Sequence, residues 1–184
     1  MNLNEWFQKA MTADEYINSM TRNKGEMLSI YERFAQKDED KGRFEKVVPQ
    51  KLRVIALSED WCGDALLNNP ILLRIAEAGG IEVRFLLRDQ NLELMDQYLT
   101  NGTSRAIPIY IFMDQEGNEV GVWGPRAPEI QALVEKERAA LPEKDSTDFE
   151  EKQKEMYKRL MEYYQQDASI WQIVATSIAA VILK

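Results

Sequence analysis

The chain has no histidine. That excludes His-based triads, imidazole general bases and His metal ligands. It has one cysteine, Cys62, among 184 residues, so an intrachain disulfide and a thiolate-rich zinc site are excluded as well. The lack of a disulfide framework agrees with a cytoplasmic location, which is the expectation here. Positive charge is in the minority, with Lys plus Arg at 23 against Asp plus Glu at 31, a net charge of −8. An acidic chain does not follow a phosphate backbone by charge, so no nucleic-acid partner is expected. Long apolar runs are also missing. The most apolar stretch, Ile170 to Leu183, is interrupted by Gln172, Thr176 and Ser177, and it falls short of the ~20 residues that span a bilayer. No membrane partner is expected, and Met1 to Met11, with Glu5, Gln8 and Lys9, does not read as a targeting signal. There is no Gly-x-x-x-x-Gly-Lys phosphate loop, and no carboxylates pair at metal-ligand spacing. Neither a cofactor nor a metal is expected.

What remains is a chain with 45% apolar and 29% charged residues, the balance of a globular protein with a hydrophobic core. Residues 1 to about 40 read as helical. Thr12 and Glu15 form a capping box, and Met27, Ile30, Tyr31 and Phe34 share one helical face. Lys37 to Arg43, charged and containing Gly42, reads as a loop. The period then changes. Leu52–Leu57, Ile81–Leu87 and Ile107–Met113 are short apolar runs suited to buried strands. A helix from Cys62 to Ala78 ends at Gly79-Gly80, and a shorter one runs through Leu92, Met95, Tyr98 and Leu99. Asp114 to Asn118 reads as a hairpin turn, with Glu119–Trp123 as the returning strand. Pro128 opens a helix that runs to about Leu141. Thr147 and Glu150 form a second capping box, and from Phe149 a helical period continues for roughly 35 residues as one long helix. Its apolar end must pack across the domain or mediate self-association. Strand–helix alternation predicts parallel pairing and the hairpin predicts an antiparallel edge, so the class is α/β with a mixed sheet.

Cys62 lies where a strand gives way to a helix. Unpaired N–H groups and the helix dipole favour a thiolate at that position. Glu59, Asp60 and Asp64 are three carboxylates close in sequence, and like charge opposes thiolate formation. These residues leave the balance open.

Trp61-Cys62-Gly63-Asp64-Ala65 resembles the Trp-Cys-Gly-Pro-Cys motif of the thioredoxin family. Pro70, followed by Ile71-Leu72, falls where that family kinks its active-site helix. Arg105-Ala106-Ile107-Pro108 resembles the segment that carries the family's cis-proline, and Gly117 and Gly124 match in position. The resemblance covers residues 45–141. It implies a thioredoxin-like mixed sheet flanked by helices; the helical extension over 1–44 and the C-terminal helix over 147–184 are additions to that fold. It further implies Cys62 as the nucleophile, with Trp61, Gly63, Asp64, Ala65, Ile107 and Pro108 around the substrate.

The departures bear on function. Ala65 replaces the second, resolving cysteine, and Ala56 stands where the family carries a buried acid. A dithiol reductase releases itself from a mixed disulfide with its second thiol, and this chain has none. The implied activity is therefore single-thiol exchange with a low-molecular-weight thiol or a protein disulfide, resolved by an external thiol. The competing reading is a non-catalytic thioredoxin-fold protein-binding module with an inert Cys62. On that reading Trp61 packs beside the helix start, Asp64 complements the helix terminus, and Arg105 and Arg126 are surface charges.

Overall fold

The computed structural model describes residues 1–184. The N-terminal part contains α1 (Leu3–Lys9), a two-residue strand β1 (Met11–Thr12), α2 (Ala13–Ser19), α3 (Lys24–Arg33) and α4 (Asp38–Glu45). Then come β2 (Arg53–Ser58), α5 (Gly63–Gly79), β3 (Glu82–Leu87), α6 (Leu92–Met95), β4 (Ile109–Met113), β5 (Glu119–Trp123) and α7 (Pro128–Ala139). The chain closes with α8 (Phe149–Gln166) and α9 (Ala168–Ile182). The five strands form one sheet in the order β1-β3-β2-β4-β5. Only β2 and β3 are parallel; the other pairs are antiparallel. This is the expected mixed sheet flanked by helices, with helical segments at both ends.

Register sorts the strands into two cores, because alternate residues face opposite sides. Ala56 stands opposite Phe85 and Tyr110, and Leu57 opposite Leu86 and Ile109. Val54, Ala56, Phe85, Tyr110 and Phe112 pack on α5 and the helices beyond it. Ile55, Leu57, Leu86, Ile109 and Ile111 pack on Leu3 and Phe7 of α1 and on Leu94 and Met95 of α6. The expected strand Ile107–Met113 begins at Ile109, since Pro108 has no N–H to give a ladder. The hairpin turn is held by Asp114, whose carboxylate accepts the N–H groups of Glu116 and Asn118 at 2.9 and 2.8 Å.

The Thr12–Glu15 capping box forms in full. Three other expectations are corrected. Residues 38–45 are helical, not a loop: Asp38, Glu39 and Asp40 fill the first turn, where acids suit the dipole, and buried Phe44 anchors the last. The long C-terminal helix is two helices. Asp167 is extended and caps α9, its carboxylate accepting the Ser169 N–H at 2.9 Å, so a single Asx cap breaks the helical period. The Thr147–Glu150 box does not form either. Asp148 is the N-cap residue of α8, and its carboxylate takes the Ser146 hydroxyl.

The apolar end of the chain packs on the domain. Ile170, Trp171, Val174, Ile178 and Ile182 of α9 are buried in the core shared with α5. Trp123 on β5 donates its indole N–H to Ser177 at 2.9 Å. At Gly121 a Cβ would fall 2.6 Å from Val181 Cγ1, so the β5 backbone packs directly on the Val181 side chain of α9. No helix is long and apolar enough to cross a membrane.

Removing residues 147–184 uncovers α5 and one face of β5, and we expect lower solubility and a lower Tm. An equally soluble truncation with an unchanged Tm would contradict this packing. Ile178→Ala, at a position 0% exposed, should cost about 3 kcal/mol in denaturant unfolding.

Candidate functional site

The segment after β2 is pinned from two sides before α5 begins. Glu59 is buried, and its carboxylate accepts the Asp89 N–H at 3.0 Å. Asp60 accepts N–H groups from Thr21 and Arg22 at 2.8 and 3.2 Å, and Asn23 donates to the Asp60 carbonyl at 3.0 Å. Burial pushes the Asp60 carboxyl up, but these hydrogen bonds prevail and hold it below its ordinary value. Two of the three carboxylates expected to crowd Cys62 are therefore engaged elsewhere. Asp64 is the one that acts on it.

Cys62 is the N-cap residue of α5. Its S–H donates to the Ile107 carbonyl at 3.5 Å, and the Ile107–Pro108 bond is cis. The thiol is 8% exposed. Burial is the largest influence on it, and the Asp64 carboxylate adds to it. The N–H groups of Ala65 and Asp64 and the Arg126 guanidinium pull the other way. The result is a thiol pushed up from about 9 to about 11. Both effects expected from the sequence operate, and desolvation decides between them.

Asp64 lies in the first turn of α5 and makes a two-pronged ion pair with Arg126. Arg126 Nη2 is 2.7 Å from Oδ2, and Nε donates to Oδ1 at 3.0 Å. Arg126 Nη1 donates to Gln131 at 2.8 Å. The reading of Arg126 as a surface charge is thus corrected: its side chain is 14% exposed. Arg126 arrives there because residues 124–126 run against the start of β4. At Gly124, φ is 127°, and a Cβ would collide with the Pro108 carbonyl. Only glycine fits that approach. Arg105 is exposed and pairs with Asp96 at 2.6 Å.

Behind the thiol is a buried polar cluster that the periodicity does not reveal. Asn69 of α5 donates to Ser58 Oγ at 3.0 Å, and Tyr110 donates to Asn69 Oδ1 at 2.7 Å. Tyr16 OH lies 3.2 Å from the same Ser58 hydroxyl. Burial pushes Tyr16 up to about 12 and Tyr110 well above its ordinary value. The cluster is neutral across the physiological range, and Ala56 on the same sheet face supplies no acid.

The structure brings Cys62, Gly63, Asp64, Ala65, Ile107 and Pro108 together around the start of α5. Ala65 is 2% exposed and Ile107 5%, and Pro108 is buried. Trp61 is the accessible member at 43%, with the Arg88 guanidinium 5.0 Å from its ring. Gly63 is covered from outside the motif, because a Cβ there would lie 2.5 Å from Met161 Cε. Tyr164 also reaches the site, its hydroxyl donating to Asp64 Oδ1 at 3.0 Å. Tyr164 falls within the helical period from Phe149 and Met161 carries no signal of its own, so nothing in the sequence marks either as part of the site.

Two measurements check these electrostatics. Asp64→Asn removes the nearest anion, so the pH dependence of Cys62 alkylation should move down by about one unit. An upward move would contradict the assignment. Stability should also respond to base. The folded chain keeps a thiol proton that the unfolded chain gives up above about pH 9. This contribution is whole below pH 9 and is lost as pH rises to about 11. Cys62→Ala should therefore lose less Tm than wild type across that interval.

The thioredoxin family profile matches residues 10–140. No curated protein matches the chain. Among solved structures, a protein of unknown function from Pseudomonas aeruginosa aligns with a TM-score of 0.67 at 16% identity, covering 98% of this chain and 99% of its own. An HIV epitope-scaffold aligns with a TM-score of 0.69 at 16% identity, covering 99% of this chain and 98% of its own. At that identity the likeness is one of fold, and it runs through the C-terminal helices. With the family match over well more than half its length, the chain belongs to the thioredoxin family.

Proposed function

We propose that the protein carries out thiol–disulfide exchange through Cys62 as its sole nucleophile. The observation that carries this reading is the direction of the Cys62 S–H. It faces the Ile107 carbonyl, beside the cis Ile107–Pro108 bond and at the start of a helix. The Cys62 thiolate attacks one sulfur of a substrate disulfide, a new S–S bond forms to Cys62, and the other substrate sulfur leaves as a thiolate. An external thiolate then attacks the substrate sulfur of the mixed disulfide, forms an S–S bond to it and expels Cys62 as a thiolate. A second external thiol frees the substrate sulfur and leaves the two external thiols as a disulfide. Ala65 offers no sulfur for that step. Trp61, the exposed member of the site, marks the approach for a protein disulfide or a low-molecular-weight thiol, with buried Ile107 and Pro108 beside the thiol, while Gly63 and Asp64 are covered by α8. A cytoplasmic setting, with its pool of small thiols, suits this division of labour.

One observation favours a second reading, a non-catalytic protein-binding module. A thiol at about 11 leaves roughly one chain in ten thousand as thiolate at neutral pH. Exchange is then slow unless the substrate's own approach changes the surroundings of the sulfur.

The test compares native and denatured protein with a small disulfide, read by intact mass. On the exchange reading the native chain acquires one adduct at Cys62 faster than the denatured chain does, and added thiol removes it. Slower native labelling points to the binding module. Ala65→Cys sets a second thiol one helical turn away at a small packing cost. It should yield an internal disulfide under oxidising conditions and, with an electron donor, reductase turnover that Cys62→Ser abolishes.

A further inference from the structure

We infer that Tyr164, from the C-terminal helix α8, is a positioning residue for Cys62, acting through Asp64. The inference deepens the exchange reading and takes its functional meaning from it. Tyr164 lies outside the matched family segment of residues 10–140, so the C-terminal helices bring a component of their own to the site.

The contacts are consecutive along both helices. Met161 sits on Gly63, and Tyr164, three residues on, reaches Asp64. Residues three apart on a helix share a face, so one face of α8 is laid against the first turn of α5. Tyr164 is 1% exposed. It is fixed from behind by Trp171 of α9, whose indole N–H donates to the Tyr164 carbonyl at 2.7 Å. Asp64 is the hydroxyl's acceptor, and a buried hydroxyl left unpaired costs about 1–3 kcal/mol. Burial and the Asp64 charge both push Tyr164 up, so it remains a donor throughout the working range.

The carboxylate is thereby held from both ends. Oδ1 accepts from Tyr164 and from Arg126 Nε, and Oδ2 lies on Arg126 Nη2. The positive end of the Tyr164 O–H dipole offsets part of the charge that Cys62 feels. The titratable groups around Cys62 are Asp64 on its own helix, Arg126 before α7, Tyr16 on α2 and Tyr110 on β4. Tyr16 and Tyr110 stay neutral, so Asp64 and Arg126 set the field, and Tyr164 holds the first against the second.

The test is a double-mutant cycle on the full chain with iodoacetamide, which reads thiolate without any disulfide exchange. Rates for wild type, Tyr164→Phe, Asp64→Asn and the double variant are compared between about pH 8 and 9.5, where each follows its thiolate fraction. Tyr164→Phe keeps the ring, and Tyr164→Leu removes the same hydroxyl with different packing should the first variant not fold. We expect Tyr164→Phe to react about threefold more slowly than wild type, half a pKa unit. We expect no difference between Asp64→Asn and the double variant. An unchanged or faster rate in Tyr164→Phe overturns the inference. So does an equal drop in the Asp64→Asn background, which would make Tyr164 a packing residue alone. If the cycle behaves as expected while wild type forms no mixed disulfide, the exchange reading fails and the positioning stands.

Discussion

The fold depends on the burial of helix α5. Twelve of its seventeen residues are buried, and a helix that is apolar on most sides needs cover on most sides. The sheet supplies one side. Met27 and Ile30 of α3, Phe34 just after it, Phe44 of α4 and the apolar stripe of α9 belong to the same core. The helices at both ends of the chain are therefore part of what allows α5 to exist. The start of α5 is also where Cys62 sits, so the same packing that makes the helix possible also dries the thiol.

That coupling explains the electrostatics. A helix N-terminus presents N–H groups to the sulfur, and Arg126 adds a full positive charge nearby. In a wetter site these would win. Here the sulfur is nearly out of solvent, and its charged form loses more hydration than the N–H groups restore. Asp64 works in two directions. Its charge disfavours the thiolate, yet it is the partner that draws Arg126 into place. Removing either member of such a pair leaves the other charged and poorly hydrated, and Tyr164 adds a third party to the arrangement.

The sheet was legible in the sequence because its strands are short apolar runs separated by turn chemistry. The relation of Cys62 to Ile107–Pro108 was legible through the family motif. Other features were not, each for a physical reason. A helix over 38–45 looks like a loop when its apolar content is a single anchoring Phe44. The break at Asp167 is one residue inside an unbroken helical period. Strand β1 is too short to show alternation. Arg126 reads as a surface cation until the chain's turn at Gly124 carries it inward. Tyr164 is separated from Asp64 by most of the fold, and a contact of that range leaves no local mark. The contest at Cys62 is undecided in the sequence, since burial enters only with tertiary structure.

The two departures around the motif make sense together. A resolving thiol must lose its proton to attack, and a buried acid behind it would serve as the acceptor. With Ala65 there is no such thiol, and an unpaired carboxylate on the β2 face would be costly without a use. The space holds Ala56 and a hydroxyl–amide cluster of Ser58, Asn69, Tyr16 and Tyr110 instead, neutral and mutually satisfied. This cluster ties α2, β2, α5 and β4 to one another. On the exchange reading, Cys62 beside the cis Ile107–Pro108 bond supplies the attacking sulfur and Ala65 leaves no sulfur for release, while the polar interior holds helices in place. On that reading release must come from a thiol outside the chain. With α8 seated on Gly63 and Asp64, the open approach is the side of Trp61.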